Sequence, residues 1–264
     1  MQVLTDDGAR IDARVDGSAA SRAVVLIHGF PFARAIWDAQ NDALATIARV
    51  VRLDLRGAGK SSVPDGPYLM ERLAADVATL LDALGIERAA LIGHSMGGYV
   101  ALAFARMFTE RVSHLALVAS RLAADSPEQA AARRELADRT ERAGAIEPVV
   151  EAYLPRLLAR DTRREVVERA CAIARQTNPS GAAATLRGMA LRSPSDDIAA
   201  DLDLPVLVIA GGRDVVVPIE ESRDVARRFA RARVVECGES AHLPMLEEPG
   251  RVRDALMDWL AANE

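Results

Sequence analysis

The stretch Gly93-His94-Ser95-Met96-Gly97-Gly98 constrains the fold of this chain more than any other. A short apolar run, Ala89-Ala90-Leu91-Ile92, leads into it, and Tyr99 to Arg106 after it reads as a helix. A G-x-S-x-G pattern between a strand and a helix predicts a sharp elbow with the serine at its tip. Such a turn forces the tip residue into a strained backbone conformation. Side chains two residues to either side would collide with neighbouring backbone, so Gly93 and Gly97 suit those positions. The helix starting beside Ser95 would aim free N–H groups at any anion formed there.

Around this elbow the chain alternates strand and helix. Asp6-Asp7-Gly8 is a hairpin turn signal between short strands at 2–4 and 10–15. Val24-Val25-Leu26-Ile27 is a continuous apolar strand, the pattern of a strand covered on both faces. A helix at about 37–48 and a strand at 50–53 follow. Leu73, Val77, Leu80, Leu81 and Leu84 mark an amphipathic helix over 69–84, closed by Gly85. Val112 to Val118 is a further strand.

From about 121 to 200 the pattern is helical. Ser126-Pro127-Glu128-Gln129 predicts a capped helix start, and Thr162-Arg163-Arg164-Glu165 predicts a second capping box. Glu135 with Arg139 and Asp138 with Arg142 have the i,i+4 spacing of surface ion pairs. Val150, Tyr153, Leu154, Leu157 and Leu158 form an apolar stripe that Pro155 should kink or break. Asn178-Pro179 starts one more helix. Strand–helix alternation then resumes, with strands at 205–210 and 233–236 and helices at 219–230 and 249–262. The expectation is an α/β chain: a mostly parallel sheet flanked by helices, with 1–120 and 201–264 as the core and 121–200 as an inserted helical cap. Ligand sites in open sheets of this kind lie at the carboxyl ends of the strands.

Composition narrows the function classes. The 264 residues carry a net charge of −5 with no block of like charge, which argues against a nucleic-acid partner. No apolar stretch approaches a membrane span, and the first eleven residues lack a signal-peptide pattern. Cys171 and Cys237 are far apart in sequence, so a reducing cytoplasm is expected and both should be small buried residues. No His/Cys/Asp/Glu cluster has metal-ligand spacing and no phosphate loop is present, so neither metal nor cofactor is expected.

A serine hydroxyl needs a general base to act as a nucleophile. Four histidines are available. His94 adjoins Ser95 and should point away from it, His114 begins a strand at the wrong end of the sheet and is expected on the surface, and His28 should hold a loop. His242, in the loop after the last strand, is the base by position and elimination. Asp214, after Gly211-Gly212 at the end of the 205–210 strand, is the acid that would orient it, and Asp125 competes for that role. The order Ser…Asp…His is the order that the elbow predicts. The N–H groups of Met96 and Phe30 are the candidate oxyanion donors. Asp54 and Arg56 lie in a glycine-containing loop, where such a pair more often braces the structure than touches a substrate. Arg56, His28, Phe32, Tyr99 and Met245 are the candidate substrate contacts; Phe32, Tyr99, Met245 and Trp37 are also ordinary core residues by type.

Taken together, His28-Gly29-Phe30-Pro31, Asp54 to Ser61, the elbow, Gly212 to Pro218 and Ala241 to Pro249 resemble the α/β-hydrolase fold superfamily. Within it the chain looks like small carboxylesterases, 3-oxoadipate enol-lactonases and related cofactor-free perhydrolases. Haloalkane dehalogenases and epoxide hydrolases place Asp where Ser95 stands. The resemblance implies a helical cap and a serine hydrolase of small carboxylic esters or lactones working through an acyl-enzyme. C–C hydrolase, thioesterase, perhydrolase or acyltransferase chemistry would use the same residues. A slow ligand receptor on the same fold is the alternative from another class.

Overall fold

The structure is a computed structural model and describes residues 1–263. Eight strands form one sheet: β1 (Gln2–Leu4), β2 (Arg10–Asp16), β3 (Ala23–Ile27), β4 (Arg49–Leu53), β5 (Ala89–His94), β6 (Val112–Val118), β7 (Val206–Gly211) and β8 (Ala232–Cys237). Their spatial order is β1-β2-β4-β3-β5-β6-β7-β8. β1 and β2 pair antiparallel, β2 joins β4 antiparallel, and every later pairing is parallel. Every residue of β3, β5 and β7 is buried. These strands carry no polar alternation because helices cover both faces of a parallel sheet.

Those helices are α1 (Asp38–Leu44), α2 (Met70–Ala83), α3 (Met96–Met107), α9 (Ile219–Arg227), the short α10 (Pro244–Glu247) and α11 (Pro249–Ala261), numbered with five more that lie between β6 and β7. The five are α4 (Pro127–Ala143), α5 (Glu147–Leu157), α6 (Arg164–Ala174), α7 (Pro179–Met189) and α8 (Asp196–Asp201). α3 is buried from Met96 to Ala105, because α2 and α8 pack on it as well as the sheet. Gly85 takes a left-handed conformation, φ +64°, and ends α2 as its sequence position predicts.

Local details of the helical segment depart from expectation. Ser126 forms its capping box with Gln129. Thr162 does not cap α6; its hydroxyl donates to Glu247 Oε1 at 2.6 Å instead, since α6 begins two residues later, at Arg164. The i,i+4 pairs Glu135–Arg139 and Asp138–Arg142 do not form among the described residues. Arg187 of α7 reaches both Asp138 and Glu141, because α4 and α7 pack side by side and a bidentate partner on the neighbouring helix competes better. Pro155 sits within the last turn of α5, which ends two residues later. His114 is not a surface residue: it is 9% exposed, stacks edge-on against Trp259 and donates from Nε2 to the Asn263 carbonyl at 2.9 Å. The end of α11 covers that edge of the sheet, which no feature local to His114 could reveal. Cys237 is buried, whereas Cys171 is only half-buried.

Candidate active site

The elbow has the strained backbone that its sequence demands. Ser95 holds φ +49° and ψ −113°, a left-handed φ that few side chains adopt. Two hydrogen bonds fix it there: Ser95 N–H donates to the Val118 carbonyl at 2.8 Å, and Ser120 Oγ donates to the Ser95 carbonyl at 2.8 Å. A Cβ on Gly93 would strike the Gly97 carbonyl, and one on Gly97 would strike the carbonyls of Ile27 and His28. Both positions therefore require glycine for space.

Three loops at the carboxyl ends of β5, β7 and β8 converge. Ser95 Oγ lies 2.8 Å from His242 Nε2, and His242 Nδ1 lies 2.7 Å from Asp214 Oδ2. Asp214 Oδ1 accepts the N–H groups of Val216 at 2.7 Å and Val217 at 3.0 Å, so both carboxylate oxygens are engaged. Asp214 and His242 are buried. A carboxylate cannot donate, so His242 carries its proton on Nδ1 and leaves Nε2 to accept from Ser95. The His242 loop is tied to the helical segment: His242 N–H donates to the Leu157 carbonyl at 3.0 Å. Glu247 accepts from Ala241 N–H, Ala159 N–H and the Thr162 hydroxyl. Asp125 faces elsewhere, in a bidentate ion pair with Arg133.

The Phe30 N–H has no hydrogen-bond acceptor among the described residues. Met96 N–H opens α3, where no preceding helical turn supplies a carbonyl. His28 and His94 shape this corner without reaching the cavity. His28 Nε2 accepts Leu55 N–H at 3.0 Å and its Nδ1 donates to the Gly29 carbonyl at 3.0 Å. His94 Nε2 donates to the His242 carbonyl at 2.9 Å, so His94 positions the His242 backbone and points away from Ser95. Burial pushes His28 below the ordinary histidine range and His94 well below it, so both are neutral.

Ser95, His242, Phe30 and Tyr99 line one cavity of about 370 Å³. The other expected contacts are placed differently. Phe32, Arg56, Met96 and His28 border a void of about 10 Å³ behind the Phe30 loop. Met245 is core, with its carbonyl accepting from Gln40. Asp54 and Arg56 do not pair with each other: Asp54 takes Arg34, while Arg56 takes Asp76 and Asp7. Arg56 is thus a brace, its charge matched by two carboxylates of the fold. Residues that their sequence context does not mark as site residues also line the cavity. Tyr153 and Leu157 come from α5, Arg133 and Gln129 from α4, and Arg121 from the loop after β6. Tyr153 belongs by spacing to the apolar stripe of α5, and only its polar tip signals otherwise. No helix among the described residues is long and apolar enough to cross a membrane, and no group of three or more metal-ligating side chains gathers among them.

Comparison with known proteins identifies the fold family. Residues 22–249 match the family model described as alpha/beta hydrolase fold. A thermophilic esterase from Thermogutta terrifontis, solved with malate bound, is 36% identical, with a TM-score of 0.95 over 99% of this chain and 98% of that one. The enol-lactonase from Burkholderia xenovorans LB400 is 28% identical, with a TM-score of 0.91 over 99% of this chain and all of that one. The 3-oxoadipate enol-lactonase 2 of Acinetobacter baylyi is 27% identical across 93% of this chain and 91% of its own length. The fold, the elbow and the match over most of the sequence lead to one conclusion: the chain belongs to the alpha/beta hydrolase fold family.

Proposed function

We propose that this protein is a serine hydrolase of small carboxylic esters or lactones. The observation that carries the reading is the unbroken hydrogen-bonded line from Ser95 Oγ through His242 to Asp214, opening on a cavity large enough for a small molecule. Ser95 Oγ attacks the substrate carbonyl while His242 Nε2 takes its proton. Asp214 holds the ring and stabilises the imidazolium. The oxyanion forms against the N–H groups of Phe30 and Met96; one such donor is typically worth about 3 kcal/mol in the transition state. His242 returns the proton to the leaving oxygen, and an acyl group remains on Ser95. Water, deprotonated by His242, then releases the acid. Residues 121–200 act as the cap over this site, contributing the far wall of the cavity through α4 and α5. The likeness to an esterase and to enol-lactonases supports an oxygen ester as the bond cleaved.

The test is hydrolysis of p-nitrophenyl esters, acetate through decanoate, by wild type and Ser95→Ala. Turnover by wild type and a loss of about 10⁴-fold or more in the variant are expected. A burst without turnover, or activity that survives Ser95→Ala, would overturn the reading.

A further inference from the structure

The cavity has a second polar end, and its hydrogen bonds are incomplete. Tyr153 Oη accepts from Arg133 Nη1 at 2.8 Å. An arginine cannot accept in return, so the phenol proton points elsewhere. Among the described residues no acceptor stands within reach of it. The Tyr99 hydroxyl likewise has no hydrogen-bond partner among the described residues, although its ring is buried beneath the Arg192 guanidinium, 3.8 Å from the ring centre. Both tyrosines line the same cavity as Ser95. Burial raises the Tyr153 pKa, so this phenol remains a donor.

The charges behind these hydroxyls are unbalanced. Asp125 is the carboxylate for two guanidiniums: the half-buried Arg133 binds it in bidentate fashion and the buried Arg192 lies 3.8 Å away. Arg133 has five N–H donors. Asp125 takes two, Tyr153 takes one, and Met189 Sδ, at 3.6 Å, takes a fourth. One Nη2 hydrogen is left over. At the mouth, Arg139 and Arg156 line the cavity without an ion pair among the described residues, against the single carboxylate of Glu135. A chain of net charge −5 has therefore gathered surplus positive charge at this one cavity.

We propose that the hydroxyls of Tyr99 and Tyr153, with Arg133 behind them, form a carboxylate subsite, so that the preferred substrates carry an anionic group beyond the scissile ester. A carboxylate supplies acceptors and no donor, which is what free phenol protons beside a cation demand. A neutral alkyl chain would leave those donors buried and unpaired. The subsite rests on the hydrolase reading for its consequence in catalysis, but not for binding.

The test compares kcat/KM for monomethyl succinate, glutarate and adipate with methyl butanoate, pentanoate and hexanoate, by acid release at constant pH. Wild type should favour at least one anionic ester over its neutral counterpart by about tenfold or more. Tyr99→Phe, which loses no protein hydrogen bond, and Tyr153→Phe should each lower that anionic-to-neutral ratio, with most of the change in KM. In parallel, glutarate binding to Ser95→Ala protein is measured by calorimetry, with and without each Tyr→Phe change; the changes should weaken it by about tenfold. Hydrolysis without discrimination, or rates for both ester classes falling together, overturns the subsite and leaves the hydrolase reading standing. Glutarate binding that depends on the tyrosines, with no ester cleaved, supports the subsite and overturns the hydrolase reading.

Discussion

Two arginines set against buried carboxylates, Arg56 and Arg133, look alike in the sequence and do opposite work. Arg56 lies under the antiparallel edge of the sheet. Its Nε and Nη2 meet both oxygens of the fully buried Asp76 at 2.6 Å, and its Nη1 and Nη2 meet Asp7 at 2.8 and 3.2 Å. Burial disfavours its charge, but the hydrogen bonds to Asp76 and Asp7 outweigh that and hold its pKa above the ordinary value. The same bonds hold the Asp7 carboxyl far below the usual carboxylate range. Two carboxylates thus face this one guanidinium, and no positive charge is in surplus. Arg133 shares its one carboxylate with Arg192 and donates to a tyrosine that faces a cavity. A buried guanidinium with matched carboxylates stabilises a fold; a half-buried one with surplus charge beside open space is available for recognition. The balance of carboxylates against guanidiniums separates the two roles, and residue type does not.

That contrast can be broken by substitution. Arg56→Ala should have the largest effect on stability. It strips Asp76, which is fully buried, of its bidentate partner and leaves only Arg72 at 2.9 Å. The expected loss is about 3–5 kcal/mol, read by urea denaturation, and a loss under 1 kcal/mol would refute the brace. Arg133→Met should cost less, about 1–3 kcal/mol, because Asp125 keeps Arg192 nearby. It should also lower the preference for anionic esters. If Arg133→Met destabilised as much as Arg56→Ala, the distinction between the two clusters would fail.

Acid sharpens the comparison further. His28 and His94 are buried neutral, and their pKa values lie below the ordinary 6.5. Below about pH 6.5 the unfolded chain takes up protons at these sites that the folded chain refuses, so stability must fall as the pH falls. Above that pH their contribution is constant. Each site adds a slope of up to about 1.4 kcal/mol per pH unit. Thermal denaturation between pH 7.5 and 5 should show it, and His94→Asn should flatten it; a melting temperature that rose on acidification would contradict the assignment. The smallest effects are expected from Arg139→Ala and Arg156→Ala. These exposed side chains hold no ion pair among the described residues. Stability should stay within about 0.5 kcal/mol, while the salt dependence of anionic-ester hydrolysis should weaken.

Much of this was legible in one dimension because the relevant constraints are local. The all-apolar run of Val24 to Ile27 can only be a strand covered on both faces, and it lies beside β5 at the centre of the sheet. Gly93 announces an elbow because the backbone of Gly97, four residues on, packs against it, whereas the backbone that Gly97 itself meets is that of the distant Ile27 and His28. His242 and Asp214 could be chosen by chain order alone, since each follows a strand whose carboxyl end must face the elbow. The brace at Arg56 was legible in kind, but its partners were not. Asp7 and Asp76 lie 49 and 20 residues away, and only the fold brings them to one point.

The amino-acid sequence by itself determined the order of strands and helices, the elbow and the side chains gathered around Ser95. Periodicity, glycine positions and turn chemistry act over a few residues, and a parallel sheet aligns the ends of its strands whatever fills the space above them. Tertiary structure alone decided the far half of the cavity. Tyr153 occupies a stripe position on α5 that reads as core, and Arg133 lies on a helix with charge on several faces. Whether either meets solvent, a partner helix or a ligand depends on how α4 and α5 cross above the sheet. That crossing is set by long-range packing between surfaces with weak amphipathic patterns, and no local signal in the sequence encodes it.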